Sequence, residues 1–182
     1  MREQEININI FAGPATGKST ISSGLFFQMK KQGYKVEFIS EYAKDLTYGK
    51  DFTKLKDQLL VFANQFHRYF RLIDHDIDYL IHESPSLMSL AYFTETDLIP
   101  EKEFRNLVVT IFKNTKSLNI FLERNPKYEY QSFGRNQTLE EAKELDCKIL
   151  KLLIDNEVQF HKILSDDDAE DKILKLIEDL KG

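Results

Sequence analysis

Residues 12–20 read Ala-Gly-Pro-Ala-Thr-Gly-Lys-Ser-Thr, and the chemistry of the chain is most concentrated there. The formal phosphate-loop pattern is G-x-x-x-x-G-K-[ST]; Ala12 holds its first glycine position and Gly13 comes next. Glycines at 13 and 17 allow torsions that turn successive N–H groups inward onto phosphate oxygens. Lys18 supplies a mobile charge for β- and γ-phosphates, and the Ser19 hydroxyl is placed to ligate Mg2+. A helix that opens at Lys18 adds the positive end of its dipole. The expected donor-binding set is Gly13, Pro14, Ala15, Thr16, Gly17, Lys18, Ser19 and Thr20, with ATP and Mg2+ as cofactors.

Ligands of doubly wound sheets sit beyond the carboxyl ends of the strands, so the acids found there matter next. Glu83 follows the apolar run Tyr79-Leu80-Ile81 and reads as the second acid that organises Mg2+ through water. Glu41 follows KVEFIS and is placed to accept a proton from an attacking hydroxyl or to hydrogen-bond the acceptor. The polar stretch 124–138 carries Arg124 and Arg135, which would neutralise a transferring phosphoryl group while the segment excludes water. The plainer readings are a solvated or helix-capping Glu41, a surface Glu83, and solvated loop arginines. Gln65, Arg68 and Arg71 read as a solvated helix face, and Cys147 as a buried mid-helix residue. His67, His75, His82 and His161 show no metal-ligand spacing.

These residues need a scaffold. Residues 5–11 (EININIF) alternate apolar and polar, with Ile6, Ile8 and Ile10 on one face of a first strand. A helix from 18 to about 32 ends at Gly33, and residues 35–40 form a second strand. Apolar Leu55, Leu59, Phe62, Phe66, Tyr69 and Ile73 recur at steps of three and four, which predicts one long helix over 53–76. Residues 78–82 and 118–122 read as third and fourth strands, with a helix over 101–114 between them. Thr138 reads as an N-cap with Glu141 as its capping-box partner, opening a helix to about 156. A fifth strand over 157–164 and a closing helix over 166–180 complete the pattern. Strands alternating with helices predict an α/β fold with a parallel sheet covered on both faces. The order of the strands in space is not readable from this pattern.

The composition has 42% hydrophobic and 30% charged residues with 7 Gly and 4 Pro, which excludes fibrous and largely disordered classes. With 182 residues, the whole of 1–182 is expected to form one domain with a lid segment at about 124–138. A single cysteine excludes an internal disulfide and a multi-cysteine zinc site. The charge of −5 weighs against sequence-independent nucleic-acid binding. No apolar run is long enough to cross a bilayer, and the charged N-terminus is unlike a secretory signal, so a soluble, cytoplasmic protein is expected.

The stretches FAGPATGKST, ISEYAKDL, DYLIHESPSLMSLAYF and GRNQTLEEAKELD occur in this order. Together they resemble a group of phage-encoded small P-loop proteins labelled AAA-family ATPases. That group is similar in turn to the ribosylnicotinamide kinase domain and to deoxynucleoside and nucleoside monophosphate kinases. The resemblance spans nearly the whole chain, and it implies a three-layer P-loop NTPase of the nucleoside/nucleotide kinase-like kind. Its sheet would have five parallel strands with the phosphate-loop strand central. It also implies that Glu41 contacts or deprotonates the acceptor hydroxyl, and that Arg124 and Arg135 belong to a lid. Two positions depart from the pattern: Glu83 replaces the commoner aspartate, and Ser84 stands where deoxynucleoside kinases carry arginine. The leading expectation is a kinase acting on a small nucleoside, nucleotide or nicotinamide riboside. A kinase acting on a polynucleotide end or modified DNA base, with Lys44, Lys50, Lys54 and Lys56 as a basic edge, is a second reading. A nucleotide-gated regulatory NTPase is the third.

Overall fold

The protein is described by a computed structural model covering residues 5–95, 99–131, 133 and 137–180. Its strands are β1 (Ile6–Phe11), β2 (Val36–Ile39), β3 (Tyr79–His82), β4 (Ser117–Glu123) and β5 (His161–Leu164). They form one parallel sheet in the order β2-β3-β1-β4-β5. The phosphate-loop strand is therefore central, with β3 and β4 on either side of it.

The helices are α1 (Lys18–Lys31), α2 (Tyr42–Tyr48), α3 (Phe52–Lys56), α4 (Gln58–Phe70), α5 (Ser89–Tyr92), α6 (Glu101–Lys113), α7 (Leu139–Asp155) and α8 (Ala169–Asp179), with a 3₁₀ turn at Ser86–Met88 before α5. The alternation in β1 sets the layers. Ile8 and Ile10 are fully buried against Leu25 and Met29 of α1 and Ile173 and Ile177 of α8. Phe11, on the opposite face, packs with Phe62 of α4, Val108 and Phe112 of α6 and Leu153 of α7.

Asn7 and Asn9 share that second face and are buried too, so their amides need partners inside the protein. Asn9 donates to Asn119 Oδ1 on β4 at 2.9 Å, and Asn7 Oδ1 lies 2.7 Å from His82 Nε2 on β3. Polar residues thus cross-link the three central strands.

The capping box at Thr138 and Glu141 is present with both of its hydrogen bonds. Several expected boundaries move. The long helix over 53–76 is two helices, because Asp57 leaves helical torsions and its carboxylate accepts from the Leu60 N–H at 3.0 Å, starting α4 afresh. α4 then stops at Phe70, although Ile73 still packs beside Tyr69 and Leu80. The apolar period continues there in a turn. The fifth strand is shorter than expected, since Glu157 takes a positive φ of 55° and Val158 N–H bonds back to Leu153, turning the chain out of α7. α8 begins at Ala169 because Asp166 is held outside it by Lys172. Cys147 is exposed on α7, whose buried stripe is Ala142, Ile149, Leu152 and Leu153. The periodicity of the earlier stretches had marked neither α2 nor the turn leading into α5. No helix among the described residues is long and apolar enough to cross a membrane.

Candidate active site

The phosphate loop lies between the end of β1 and the start of α1. Ala12 is fully buried in the core with Ile8 and Ile10, so the first position of the pattern serves packing and has no need of glycine. Gly13 is required for a different reason than expected. Its N–H donates to Asp146 Oδ1 of α7 at 2.8 Å, toward the helix and away from the loop interior. A Cβ there would fall inside the contact radius of that carboxylate and 2.8 Å from the Ala142 carbonyl oxygen. Gly17 has a φ of 99°, the left-handed region that glycine enters without strain, and Ala15 is held at 55°. Thr16 closes the loop by donating to the Gly13 carbonyl at 3.1 Å. No side chain caps α1, which leaves its first N–H groups directed at the loop. Lys18 Nζ spans the loop mouth, 2.8 Å from the Ala12 oxygen and 3.1 Å from that of Gly13.

Arg124 grips this loop from outside. Its guanidinium donates to the Pro14 carbonyl at 2.8 Å, to the Ala15 carbonyl at 3.2 Å and to Asp146 Oδ2 at 3.0 Å. It is not among the residues that line the adjoining cleft, and these three bonds brace the loop. Tyr128 and Tyr130 anchor the described part of 124–138 by bonding Asp167 and the Gln137 carbonyl. Arg135 lies outside the described residues.

The cleft has a volume of about 200 Å³. Pro14, Gly17, Lys18 and Ser19 of the phosphate loop line it, together with Glu41 and Lys44 and with Leu55, Gln58, Val61, Met88 and Tyr92. Glu41 stands at the start of α2 with no capping bond from its side chain. Its backbone is fixed by α4: Gln65 accepts from Tyr42 N–H at 2.8 Å and donates to the Ser40 carbonyl at 3.2 Å, while Arg68 donates to Ser40 Oγ at 2.6 Å and pairs with Asp45. Gln65 and Arg68 are therefore not a solvated helix face. They position the strand end that carries Glu41.

Glu83 is 3% exposed at the end of β3, not a surface acid. It gathers three donors: Ser19 Oγ, the Glu41 N–H at 3.2 Å and the Lys44 ammonium at 2.6 Å. Lys44 also donates to Ser19 Oγ, at 2.7 Å. Burial pushes the Glu83 carboxyl up, but its bonds to Lys44 and Ser19 and the adjacent ammonium charge outweigh burial and hold it below its ordinary range. Lys44 is thus part of the cleft and leaves the proposed basic edge to Lys50, Lys54 and Lys56. Neither Lys44 nor Asp146 was singled out from the sequence for this site. Lys44 lies in the first turn of α2, and its partners, Ser19 and Glu83, are distant in sequence, so no local spacing marks it.

A hydroxyl and a carboxylate converging on one cation are the hard-oxygen donors that Mg2+ takes, and the Lys44 ammonium marks the point where they converge. The residues present therefore fit the metal, which would draw its remaining ligands from donor phosphates and water. No cluster of three or more His, Cys, Asp or Glu suited to a metal occurs among the described residues.

Residues 7–172 match a family model described as AAA domain. Among solved structures, the chain is similar to a crystal structure of NadR protein in complex with NR, with a TM-score of 0.68 and 14% sequence identity. That similarity covers 94% of this chain and 51% of the other, so the chain spans about half the length of that protein. No curated protein matches the sequence. The family and the superposition agree on an α/β, P-loop NTPase fold.

Proposed function

The chain belongs to the AAA domain family, and on that premise we propose that it is an ATP- and Mg2+-dependent kinase. It would move the γ-phosphoryl group to a hydroxyl or phosphate of a small nucleoside, nucleotide or nicotinamide riboside. The observation that carries this reading is the cleft: the phosphate loop lines a roughly 200 Å³ space together with Glu41 and a mixture of polar and apolar residues. A nucleotide switch needs no such acceptor space. The neighbouring fold's complex with NR supports a small acceptor.

In this mechanism Lys18 and the loop amides hold the donor phosphates, and the N-terminus of α1, which no side chain caps, faces them. Ser19, and Glu83 through a water, would hold Mg2+, which would offset negative charge on the donor phosphates. Glu41 orients the acceptor hydroxyl and takes its proton as the oxygen bonds to the γ-phosphorus. The bond from that phosphorus to the β–γ bridging oxygen breaks, and ADP leaves. Gln65 and Arg68 keep Glu41 in place, so approach and alignment are fixed before reaction. With Arg124 bracing the loop carbonyls, the charge of the transferring group falls to Lys18 and to Arg135 of the lid segment.

The test is ADP release with Mg2+-ATP across nucleosides, nucleoside monophosphates, nicotinamide riboside and 5′-hydroxyl oligonucleotides, with Lys18→Ala as control. Turnover that rises with one small acceptor, with phosphate found on it, supports the reading. Slow hydrolysis indifferent to every acceptor would overturn it.

A further inference from the structure

We infer that Lys44 and the divalent cation exclude each other at Ser19 and Glu83, so that Lys44 suppresses metal binding until the metal arrives with a donor nucleotide. The inference rests on the donor-binding reading above and adds to it a residue that neither phosphate-loop spacing nor the family match assigns. Lys44 Nζ lies 2.7 Å from Ser19 Oγ and 2.6 Å from Glu83 Oε1, on the same two oxygens that a metal would need. Mg2+ binds oxygens at about 2.0–2.1 Å and demands near-octahedral space. A metal on Ser19 Oγ, with Glu83 holding one of its waters, needs the space that this ammonium fills, so the two would overlap.

Charge adds to the steric argument. The Glu83 side chain is 4% exposed, and its carboxylate is paired with the Lys44 ammonium at 2.6 Å. A metal arriving alone must displace that ammonium and replace its stabilisation. A metal arriving with a nucleotide brings phosphate oxygens, which supply further ligands and a new anionic partner for the displaced lysine. The Lys44 side chain is 26% exposed and lines the cleft, so it can move into that space without unpacking the core. In the absence of metal, Lys44 stands beside the loop as a second cation near Lys18, ready to meet nucleotide phosphates itself.

Two binding measurements with opposite expected signs test this. Mn2+ binding in the absence of nucleotide is read from the paramagnetic resonance signal of free Mn2+. ADP binding in excess chelator is read by titration calorimetry. Lys44→Met should bind Mn2+ at least about tenfold more tightly than the unsubstituted protein and bind metal-free ADP at least about tenfold more weakly. Lys44→Arg keeps the charge and should keep Mn2+ binding weak. A substitution that merely damages the fold weakens both ligands together, and that result, like no change in either, overturns the inference. Lys44→Gln repeats the comparison if Lys44→Met does not fold. If the unsubstituted protein binds no ADP even with Mg2+, the donor-binding reading fails, while the Mn2+ comparison still decides the role of Lys44.

Discussion

His82 makes folding stability depend on pH in a way that can be calculated beforehand. Its ring is buried at the end of β3, beside Tyr69, with Nε2 against Asn7 Oδ1 at 2.7 Å. An amide oxygen only accepts, so Nε2 carries the proton and the neutral ring satisfies this contact. Burial pushes the imidazole pKa down from 6.5 to about 3. The unfolded chain therefore binds a proton between these values that the folded protein refuses. The contribution of the neutral ring is complete above the unfolded pKa and is lost as pH falls through the window toward the folded one. Integrating the proton difference between pH 7 and pH 4.5 gives a loss on the order of 2–3 kcal/mol, in a protein whose total stability is expected to be only about 5–15 kcal/mol. The assay is urea unfolding followed by far-ultraviolet circular dichroism at both pH values, for the unsubstituted protein and for His82→Gln. Glutamine can donate to Asn7 and does not titrate, so subtracting its pH dependence removes the carboxylate contributions common to both chains. The unsubstituted protein should lose roughly 2–3 kcal/mol more than the variant. Equal losses would show that His82 is not buried neutral as the structure has it.

Gly13→Ala should lower stability by about 1–3 kcal/mol in thermal unfolding and weaken ATP binding, because its Cβ would press on Asp146 and the fixed Ala142 carbonyl; an unchanged melting temperature contradicts this. Glu41→Gln should reduce kcat by about 10²-fold or more with the true acceptor while leaving KM for ATP within a few-fold; unaltered turnover would remove Glu41 as the base. Asp146→Ala should raise the Kd for ATP with a smaller effect on melting temperature, since the Gly13 N–H and Arg124 both lose their anchor. Asp146→Asn, which retains an acceptor oxygen, should recover part of the affinity, and equal binding by all three chains would deny the loop-bracing role.

Much of the scaffold was legible because local signals agreed with the global fold. The alternating isoleucines of β1, the Gly33 stop after α1 and the Thr138–Glu141 capping box each act within a few residues. The break at Asp57 was harder, since Leu55, Leu59 and Phe62 keep a helical period across it while a side-chain cap interrupts the backbone. Leu59, although it fits that period, is 40% exposed. Periodicity reports which faces are apolar, and it is blind to a cap that restarts the helix.

The sequence by itself determined the phosphate loop, the alternation of strands and helices, and the acids that end β2 and β3. Those features depend on residue type and short spacing, and the chain carries them wherever it folds. Only the tertiary structure decided what the side chains do to one another. It brought Lys44 onto Ser19 and Glu83, set Asp146 against Gly13, and turned Arg124 to the back of the loop. Each of these contacts joins residues far apart in the chain. Their energies depend on distances and burial created by the sheet order, and no local pattern encodes those.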